Sequence, residues 1–270
     1  MSEGRIRLER QGRVAVIVLD HGKMNTVTLG MTRQLSAVLS DLEADPGIGA
    51  LVLTGAGERA FCAGSEIREF PQLCADRAIV GKKLGPENDA YGQVAHFPKP
   101  TIAAIEGVAL GGGLELASGC DLIIASENAR LGLPEIRLGG FPGSGGTVRV
   151  TRRIGMGRAK ELMLLGEIIS AETALNWGLV NRVAQEGGAM AMAMELAQRL
   201  ALAPAQAVYA CKAALENSFD LPESQAVARS LDLSETLSQT HDFNEGVSAF
   251  IEKRAARFSD QLAKADFDLN

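Results

Sequence analysis

Short aliphatic runs alternate with helical patterns along much of the chain, and this alternation constrains the fold more than any other feature. The run RVAVIVLD at 13–20 precedes a helical pattern at 29–42, and GALVLTG follows at 49–55. Two more runs lie at 101–107 and 121–126. Because aliphatic runs without polar alternation are typical of strands buried on both faces, they predict βα units in an α/β fold.

The pattern changes towards the C-terminus. After a stretch punctuated by Pro and Gly at 134–146, the sequence predicts a helix around 146–165. From residue 189 onward, long alanine-rich segments with helical periodicity follow one another without a strand-like run between them. We therefore expect the C-terminal quarter of the chain to be all-helical.

The stretch from 70 to 98 has the most loop-like pattern of the interior. Lys82, Lys83, Gly85 and Pro86 lie together near its centre. Adjacent charges followed by glycine and proline are typical of surface loops. We therefore expect a mobile segment there.

Length and charge exclude several classes of protein. The 270 residues are 46% hydrophobic, which indicates one large globular domain, or one domain with a smaller lobe. The N-terminal residues carry charges of both signs, and no apolar run approaches the roughly 18 residues of a membrane helix. We expect no signal peptide, no membrane partner and a cytoplasmic location. The net charge of −6 argues against a general nucleic-acid partner, although a local basic patch could still hold phosphates.

Cysteine and histidine are too dispersed for a metal site or a disulfide framework. The cysteines are Cys62, Cys74, Cys120 and Cys211, and the histidines are His21, His96 and His241. No CxxC pair occurs, and a chain of this length needs no disulfide to stabilise its core. We expect reduced, mostly buried thiols and no bound metal.

Two patterns point to enzyme classes that the surrounding residues do not support. LVLTGAGERA at 51–60 contains a GxGxxA pattern after a strand, but the chain continues into AFCAGSEI and not into a helix, which disfavours a dinucleotide site. Ser65 and Ser144 lie among glycines, but no GxSxG motif occurs. A serine hydrolase is therefore disfavoured, and Ser144 is better explained as a small residue in a turn.

Two glycine-rich stretches have the capacity to bind an oxyanion. AFCAGSEI at 60–67 lets the backbone approach a ligand closely, so that an N–H near Ser65 can point outward. GGGLELAS at 111–118 places its glycines before a predicted short helix, whose first N–H groups lack partners. Two such donors that converge on one oxygen would form an oxyanion hole.

Two carboxylates accompany these stretches. Glu115 falls in the first turn of the predicted short helix, among glycine, alanine and aliphatic residues, and Glu135 follows a proline. Near an oxyanion hole, such a pair suits proton transfer beside a carbonyl if burial raises a pKa. From spacing alone, Glu115 could equally compensate the helix dipole, and Glu135 could be a solvated loop residue.

Several stretches that cover nearly the whole chain form a specific set. They are AFCAGSEI, PTIAAIEGVALGGGLELASGCDLIIAS, LGLPEIRLGGFPGSGGTVRVTRRIG, ISAETALNWGLVNRV and EGVSAFIEKR. In this order they resemble the enoyl-CoA hydratase/isomerase (crotonase) superfamily. The resemblance implies a crotonase-type spiral of ββα units with the active site in 1–199, and a C-terminal all-helical trimerisation region in 200–270. It also implies a coenzyme A thioester substrate, no separate cofactor, and a homotrimer or a dimer of trimers.

The resemblance also implies roles for single residues. The family's oxyanion hole falls on the backbone N–H groups of Ser65 and Gly112, and the two glutamates of its hydratases fall on Glu115 and Glu135. In the implied hydration of a 2-enoyl-CoA, Glu115 helps to hold and deprotonate the attacking water, while Glu135 exchanges a proton with the carbon alpha to the thioester. Gly143, expected to open the next helix, would point its N–H toward the water.

A coenzyme A site is implied in the same way. Its residues match Lys23, Met24, Ala63, Ser65, Glu66, Ile67, Phe250 and Lys253. Lys253 would reach the phosphates from a neighbouring subunit. Without the resemblance, Lys23 and Lys253 would each be interpreted as a solvated surface charge.

Three positions depart from the family's common residues. Ser65 stands where alanine is common, Glu66 where aspartate is common, and Leu133 where many hydratases have a glutamine. Any side chain except proline preserves the backbone donor at Ser65, whereas Leu133 bears on acyl-chain preference and on the position of the water. Because the oxyanion hole is shared, isomerisation, decarboxylation and thioester hydrolysis stay open as alternatives, as does a non-catalytic binding paralogue.

Overall fold

The protein is a two-sheet α/β structure, described in a computed structural model over residues 4–259, 261–262 and 267. Its strands are β1 (Arg5–Gln11), β2 (Val14–Asp20), β3 (Ala50–Gly55), β4 (Ala60–Cys62), β5 (Thr101–Ile105), β6 (Val108–Leu110), β7 (Leu122–Ser126), β8 (Arg130–Gly132), β9 (Ile168–Ser170) and β10 (Arg182–Ala184). The four aliphatic runs predicted to be strands are confirmed as β2, β3, β5 and β7.

The described residues also form a series of α-helices. They are α1 (Leu29–Ala44), α2 (Phe70–Ala75), α3 (Gly85–Ala95), α4 (Gly112–Gly119), α5 (Gly146–Leu165), α6 (Ala171–Trp177), α7 (Ala189–Leu200), α8 (Ala205–Asp220), α9 (Glu223–Ser238) and α10 (His241–Glu252). Thr28 begins α1 as its N-cap, because its hydroxyl accepts the N–H of Met31 at 3.1 Å. The predicted all-helical C-terminal quarter is confirmed by α7 to α10.

The two sheets are built from successive strand pairs. The larger sheet has the order β1-β2-β3-β5-β7-β10, and the smaller has the order β4-β6-β8-β9. Each of β3, β5 and β7 in the larger sheet leads through a short turn to a parallel strand of the smaller one, and a helical segment then follows. This repeated pairing is the expected spiral of ββα units. The strands of the smaller sheet are three residues long, which is too short to show an alternating pattern in the sequence.

Both faces of the larger sheet are covered. Along β2, Ala15, Ile17 and Leu19 pack into the core that also contains α1, α3 and α4, whereas the residues between them pack against α7 on the opposite face. This explains why β2 reads as a continuous aliphatic run. The last three helices have only a small core of their own, which contains Ala210 and Leu233.

The predicted division at residue 200 stays a prediction. Residues 1–3 of the first predicted region lie outside the described residues. The same is true of residues 260, 263–266 and 268–270 of the second.

The predicted loop at 70–98 is wrong, because this stretch is largely helical. It contains α2, a single π-helical turn at Val80–Leu84, and α3. Gly85 and Pro86 form the start of α3, where proline is tolerated because the first N–H groups of a helix have no intrahelical acceptor. Lys83, expected to be solvated, has no exposed surface. Tertiary burial has therefore overridden the local loop signal.

The four thiols differ in their exposure to solvent. All four cysteines are free; Cys62 and Cys120 are buried as predicted, but Cys74 and Cys211 are exposed.

Among the described residues, no helix combines the length and the apolar character needed to cross a membrane.

Candidate active site

Glu115 lies in the first turn of α4, a helix whose residues are all buried. The Glu115 side chain is 3% exposed, and its Oε1 accepts the N–H of Ser144 at 2.7 Å and that of Gly146 at 2.9 Å. These donors come from the turn before α5 and from the first residue of that helix. The expectation that Gly143 opens the helix is wrong, since α5 begins at Gly146. A role of Gly143 toward the water stays a prediction.

Glu135 lies in a short 3₁₀ segment, Pro134–Leu138, that follows β8. Both of its carboxylate oxygens are buried and have no hydrogen-bond partner among the described residues. A methyl group built on Gly111 would lie 3.2 Å from Oε1 of Glu135. The carboxylate therefore lies over the residue that precedes α4, which is the helix that carries Glu115.

Burial changes the acidity of both glutamates. Desolvation raises the pKa of Glu115 to about 7, although the N–H of Gly146 opposes the shift, and the charge of Glu135 adds to it. Desolvation also raises the pKa of Glu135 above its ordinary value. Burial thus brings the pKa of both carboxyl groups closer to neutrality, which suits proton transfer by both in one site.

The two predicted donors of the oxyanion hole lie side by side. Ser65 forms a parallel bridge with Val27, in which Val27 bonds to Gly64 and Glu66 at 2.9 Å each. Because the bridge uses the residues on either side of Ser65, the N–H of Ser65 points away from Val27. Gly112 is the first residue of α4, so its N–H has no acceptor within the helix. A methyl group on Gly112 would lie 3.4 Å from the Ser65 nitrogen.

Four of the residues expected to bind coenzyme A lie near Ser65 in the structure or in the sequence. The N–H of Ala63 donates to the carbonyl of Met24 at 2.9 Å, which joins the two predicted segments, and Lys23 beside Met24 is exposed. Ile67 is 54% exposed. These positions are compatible with a ligand at the surface above the two donors.

Glu66 faces its own loop. Its carboxylate accepts the hydroxyl of Thr26 at 2.9 Å and the N–H of Arg68 at 3.1 Å. Although burial acts to raise it, these hydrogen bonds lower the pKa of Glu66. The structure thus gives this side chain a role in shaping the loop that carries Ser65.

Phe250 and Lys253 lie elsewhere in the chain. Phe250 is on α10 and is 86% exposed, and Lys253 follows the last residue of that helix. Helix α10 packs on α9. Their predicted contact with coenzyme A across a subunit boundary stays a prediction.

Sequence reasoning missed several groups of this site. The N–H groups of Ser144 and Gly146 were not predicted, and neither were the buried side chains of Lys83, Glu87 and Tyr91 beside Ser65. The spacing of four residues between these side chains would have placed them on one helix face. The adjacent charges, glycine and proline of the same stretch indicate a loop and obscure that spacing.

Within the part of the chain that the structure describes, no group of three or more His, Cys, Asp or Glu side chains could hold a metal ion.

Comparison with known proteins places this geometry in a family. The family described as enoyl-CoA hydratase/isomerase matches residues 9–261. A short-chain-enoyl-CoA hydratase of Clostridium acetobutylicum is 37% identical over 256 residues, which are 94% of this chain and 97% of that protein. A probable enoyl-CoA hydratase of Rhizobium meliloti is 39% identical, over 96% of this chain and 99% of that protein.

Solved structures agree with the sequence relatives. The crystal structure of an enoyl-CoA hydratase from Bacillus anthracis superposes with a TM-score of 0.87 at 35% identity, over 94% of this chain and 98% of that one. An enoyl-CoA hydratase structure from Geobacillus kaustophilus gives a TM-score of 0.90 at 31% identity, over 96% and 98%. The chain therefore belongs to the enoyl-CoA hydratase/isomerase family.

Proposed function

We propose that the protein is an enoyl-CoA hydratase, which adds water across the double bond of a 2-enoyl-CoA thioester to give a 3-hydroxyacyl-CoA. The observation that carries the proposal is the pair of buried carboxyl groups, of Glu115 and Glu135, with raised pKa values beside two backbone donors. An isomerase of this family would need an acid only at the position of Glu135, so the presence of Glu115 favours hydration.

The geometry suggests a role for each group. The thioester oxygen would accept the N–H groups of Ser65 and Gly112, which stabilise the enolate as charge develops on that oxygen. Both hydrogen bonds to Glu115 fall on Oε1, so Oε2 is left to hold the water. Ionised Glu115 takes one proton from that water as its oxygen bonds to the β-carbon, and protonated Glu135 gives a proton to the α-carbon.

Replacement of either glutamate by glutamine tests the proposal. We expect Glu115→Gln and Glu135→Gln each to lower kcat by roughly 10²- to 10⁴-fold, because each removes one proton-transfer step while preserving shape. The measurement is the loss of the ultraviolet band of crotonyl-CoA, with the 3-hydroxyacyl product identified by mass.

Glu161→Gln is the matched control, because Glu161 is an exposed glutamate on α5. It should turn over substrate at the wild-type rate. Wild-type turnover in both active-site variants would contradict the proposal.

We also propose that coenzyme A enters as part of the substrate and that no separate cofactor is required. The residues that we propose to contact coenzyme A are Lys23, Met24, Ala63, Ser65, Glu66, Ile67, Phe250 and Lys253. Since Phe250 and Lys253 lie at the end of α10, their contact with the substrate would come from a neighbouring subunit. A cytoplasmic location stays a prediction from the sequence.

A homotrimer or a dimer of trimers would supply that neighbour. The support is a set of exposed apolar side chains on the last three helices: Leu215, Phe219, Val227, Leu231, Phe243, Val247, Phe250 and Ile251. Solvent exposure of so many large apolar groups on neighbouring helices is typical of a surface that is covered by a partner.

A further inference from the structure

A row of buried polar side chains on the α3 side of the oxyanion hole takes no part in the proposed chemistry. Lys83, Glu87 and Tyr91 follow one another at intervals of four residues, and none of the three has exposed surface. Lys83 belongs to the π-helical turn Val80–Leu84, and single π-helical turns occur often at functional sites. The row faces Ser65 and Gly112, because a methyl group on Gly112 would lie 3.5 Å from the Tyr91 hydroxyl.

The ammonium group of Lys83 makes two hydrogen bonds and one close ion pair. Its Nζ donates to the Val27 carbonyl at 2.7 Å and to Glu69 Oε2 at 2.8 Å, and it lies 3.0 Å from Glu87 Oε1. Buried ion pairs seldom increase stability over apolar residues of the same size, because both charges lose their hydration. Fold stability alone is therefore a weak explanation for this cation.

Glu87 connects the cation to the oxyanion hole. Its Oε2 accepts the hydroxyl proton of Ser65 at 2.6 Å, a short distance that is typical of a hydrogen bond to a carboxylate. The same Lys83 also bonds to the Val27 carbonyl, which accepts the N–H of Glu66 beside Ser65. One buried ammonium group is thus linked to the loop at two points: at the Ser65 side chain through Glu87, and at the Glu66 N–H through the Val27 carbonyl.

The residue before Ser65 makes the direction of the Ser65 N–H depend on how the loop is held. Gly64 precedes Ser65 with a φ of +106°, a conformation that glycine adopts easily and leaves easily. A rotation there would turn the Ser65 N–H away from Gly112. Because the Ser65 hydroxyl donates a hydrogen bond to Glu87, the hydroxyl tethers the loop, and the Ser65 N–H remains the donor to the ligand.

We propose that Glu87, anchored by Lys83, is a positioning residue that acts through the Ser65 hydroxyl to hold the Ser65 N–H in the oxyanion hole. The inference rests on the proposed function, since it takes a thioester carbonyl as the ligand of the hole. A misplacement of about 1 Å can lower an enzymatic rate by roughly 10²-fold, so a loosened donor should affect kcat more than KM.

The experiment compares Ser65→Ala, Glu87→Met, Glu87→Gln and the double variant Ser65→Ala/Glu87→Met. For each we would measure kcat and KM with crotonyl-CoA, and the infrared stretching frequency of a bound thioester labelled with ¹³C at the carbonyl. A hole with two ordered donors polarises the carbonyl and lowers this frequency. Glu69→Gln is the matched control, because Glu69 also binds Lys83 but makes no contact with Ser65.

We expect Ser65→Ala and Glu87→Met each to lower kcat by about 10- to 100-fold with little change in KM, and to raise the carbonyl frequency. The double variant should be no worse than either single one, since all three lose the same tether. Glu87→Gln, which can still bond to Ser65, should recover part of the rate. Glu69→Gln should lower the melting temperature but leave the carbonyl frequency unchanged.

Two results would overturn the inference. A wild-type carbonyl frequency in Glu87→Met and Glu87→Gln, with only a lower melting temperature, would mean that Glu87 is structural. Additive losses in the double variant would mean that Glu87 does not act through Ser65.

If the wild-type protein itself neither hydrates crotonyl-CoA nor lowers the carbonyl frequency, the proposed function fails and the inference falls with it. If Glu87→Met does not fold, Ser65→Ala decides, because a wild-type carbonyl frequency and kcat in that variant would show that the hydroxyl does not hold the donor.

Discussion

Glu115 shows how a single carboxylate is accommodated in an apolar helix. An unpaired charge at a position with 3% exposure is costly. The N–H groups of Ser144 and Gly146 offset part of this cost, since both donate to Oε1. Burial still outweighs them, because the pKa of Glu115 is raised to about 7. The group is thereby suited to proton transfer near neutrality, but its ionised form destabilises the folded chain.

Glu115→Gln should therefore stabilise the protein at alkaline pH and not at acidic pH. A carboxyl group with a higher pKa in the folded state binds more protons when folded, so the free energy of unfolding falls as the pH rises between the two pKa values. From 4.5 to about 7, the loss amounts to roughly 3 kcal/mol, all of it present at about pH 8 and none at about pH 4. The measurement is urea unfolding of both proteins at these two pH values.

Glu161→Gln again provides the control, because this exposed residue should change the unfolding free energy by the same small amount at both pH values. If the difference between wild type and Glu115→Gln were equal at both, the raised pKa would be wrong.

At the scale of elements, the start of α5 determines where the Glu115 carboxylate lies. Gly146 is the first residue of α5, and a Cβ there would lie 2.8 Å from Cγ of Glu115 and 2.9 Å from its Oε1. These distances are shorter than real Cβ contacts, so the Glu115 side chain or one of the two helices would have to move. The absence of a side chain at this position thus allows α4 and α5 to meet.

Gly146→Ala should lower kcat by about 10- to 100-fold and destabilise the protein by about 1–3 kcal/mol, because the methyl group displaces the buried carboxylate. Gly157→Ala is the matched control, in the part of α5 that follows the kink at Gly155. Gly157 is exposed and no atom lies within 4 Å of the new methyl group, so this variant should keep its rate and gain up to about 1 kcal/mol. Steady-state kinetics and urea unfolding measure both effects. Full activity in Gly146→Ala would show that the close contact has no influence on the carboxylate.

The stretch at 70–98 shows where local signals fail at this scale. Adjacent charges followed by glycine and proline, at Lys82, Lys83, Gly85 and Pro86, predict a loop. The structure has a helix there because Lys83 finds acceptors on Val27, Glu69 and Glu87, residues that are 56, 14 and 4 positions away along the chain. Local propensity cannot report such partners.

At the scale of the whole molecule, we expect the apolar faces of α8, α9 and α10 to form the subunit contacts of the proposed oligomer. Light scattering of the purified chain should give three or six times the mass of one chain. Leu231→Asp should lower that mass, because Leu231 is 66% exposed and a charge there would be buried on assembly. Gln225→Glu is the control, since it adds the same charge at an exposed polar position of α9. A wild-type mass equal to that of one chain would contradict the proposed oligomer.

The sequence by itself determined the α/β alternation, the helical C-terminal quarter, and the family. Each depends on local information: aliphatic runs for β2, β3, β5 and β7, alanine-rich periodicity for α7 to α10, and motifs that continue in order along the chain. Ser65, Gly112, Glu115 and Glu135 were predicted for the same reason, because each lies within a motif of contiguous residues.

Only the tertiary structure decided which partners hold these residues and how far the pKa of Glu115 is raised. Glu115 meets donors 29 and 31 positions away, and Ser65 meets Glu87 22 positions away. Neither the pairing of distant residues nor the desolvation that raises the pKa of Glu115 is encoded in any short stretch. Both arise when the sheets and helices pack and exclude water, and for this physical reason they could be determined only from the folded chain.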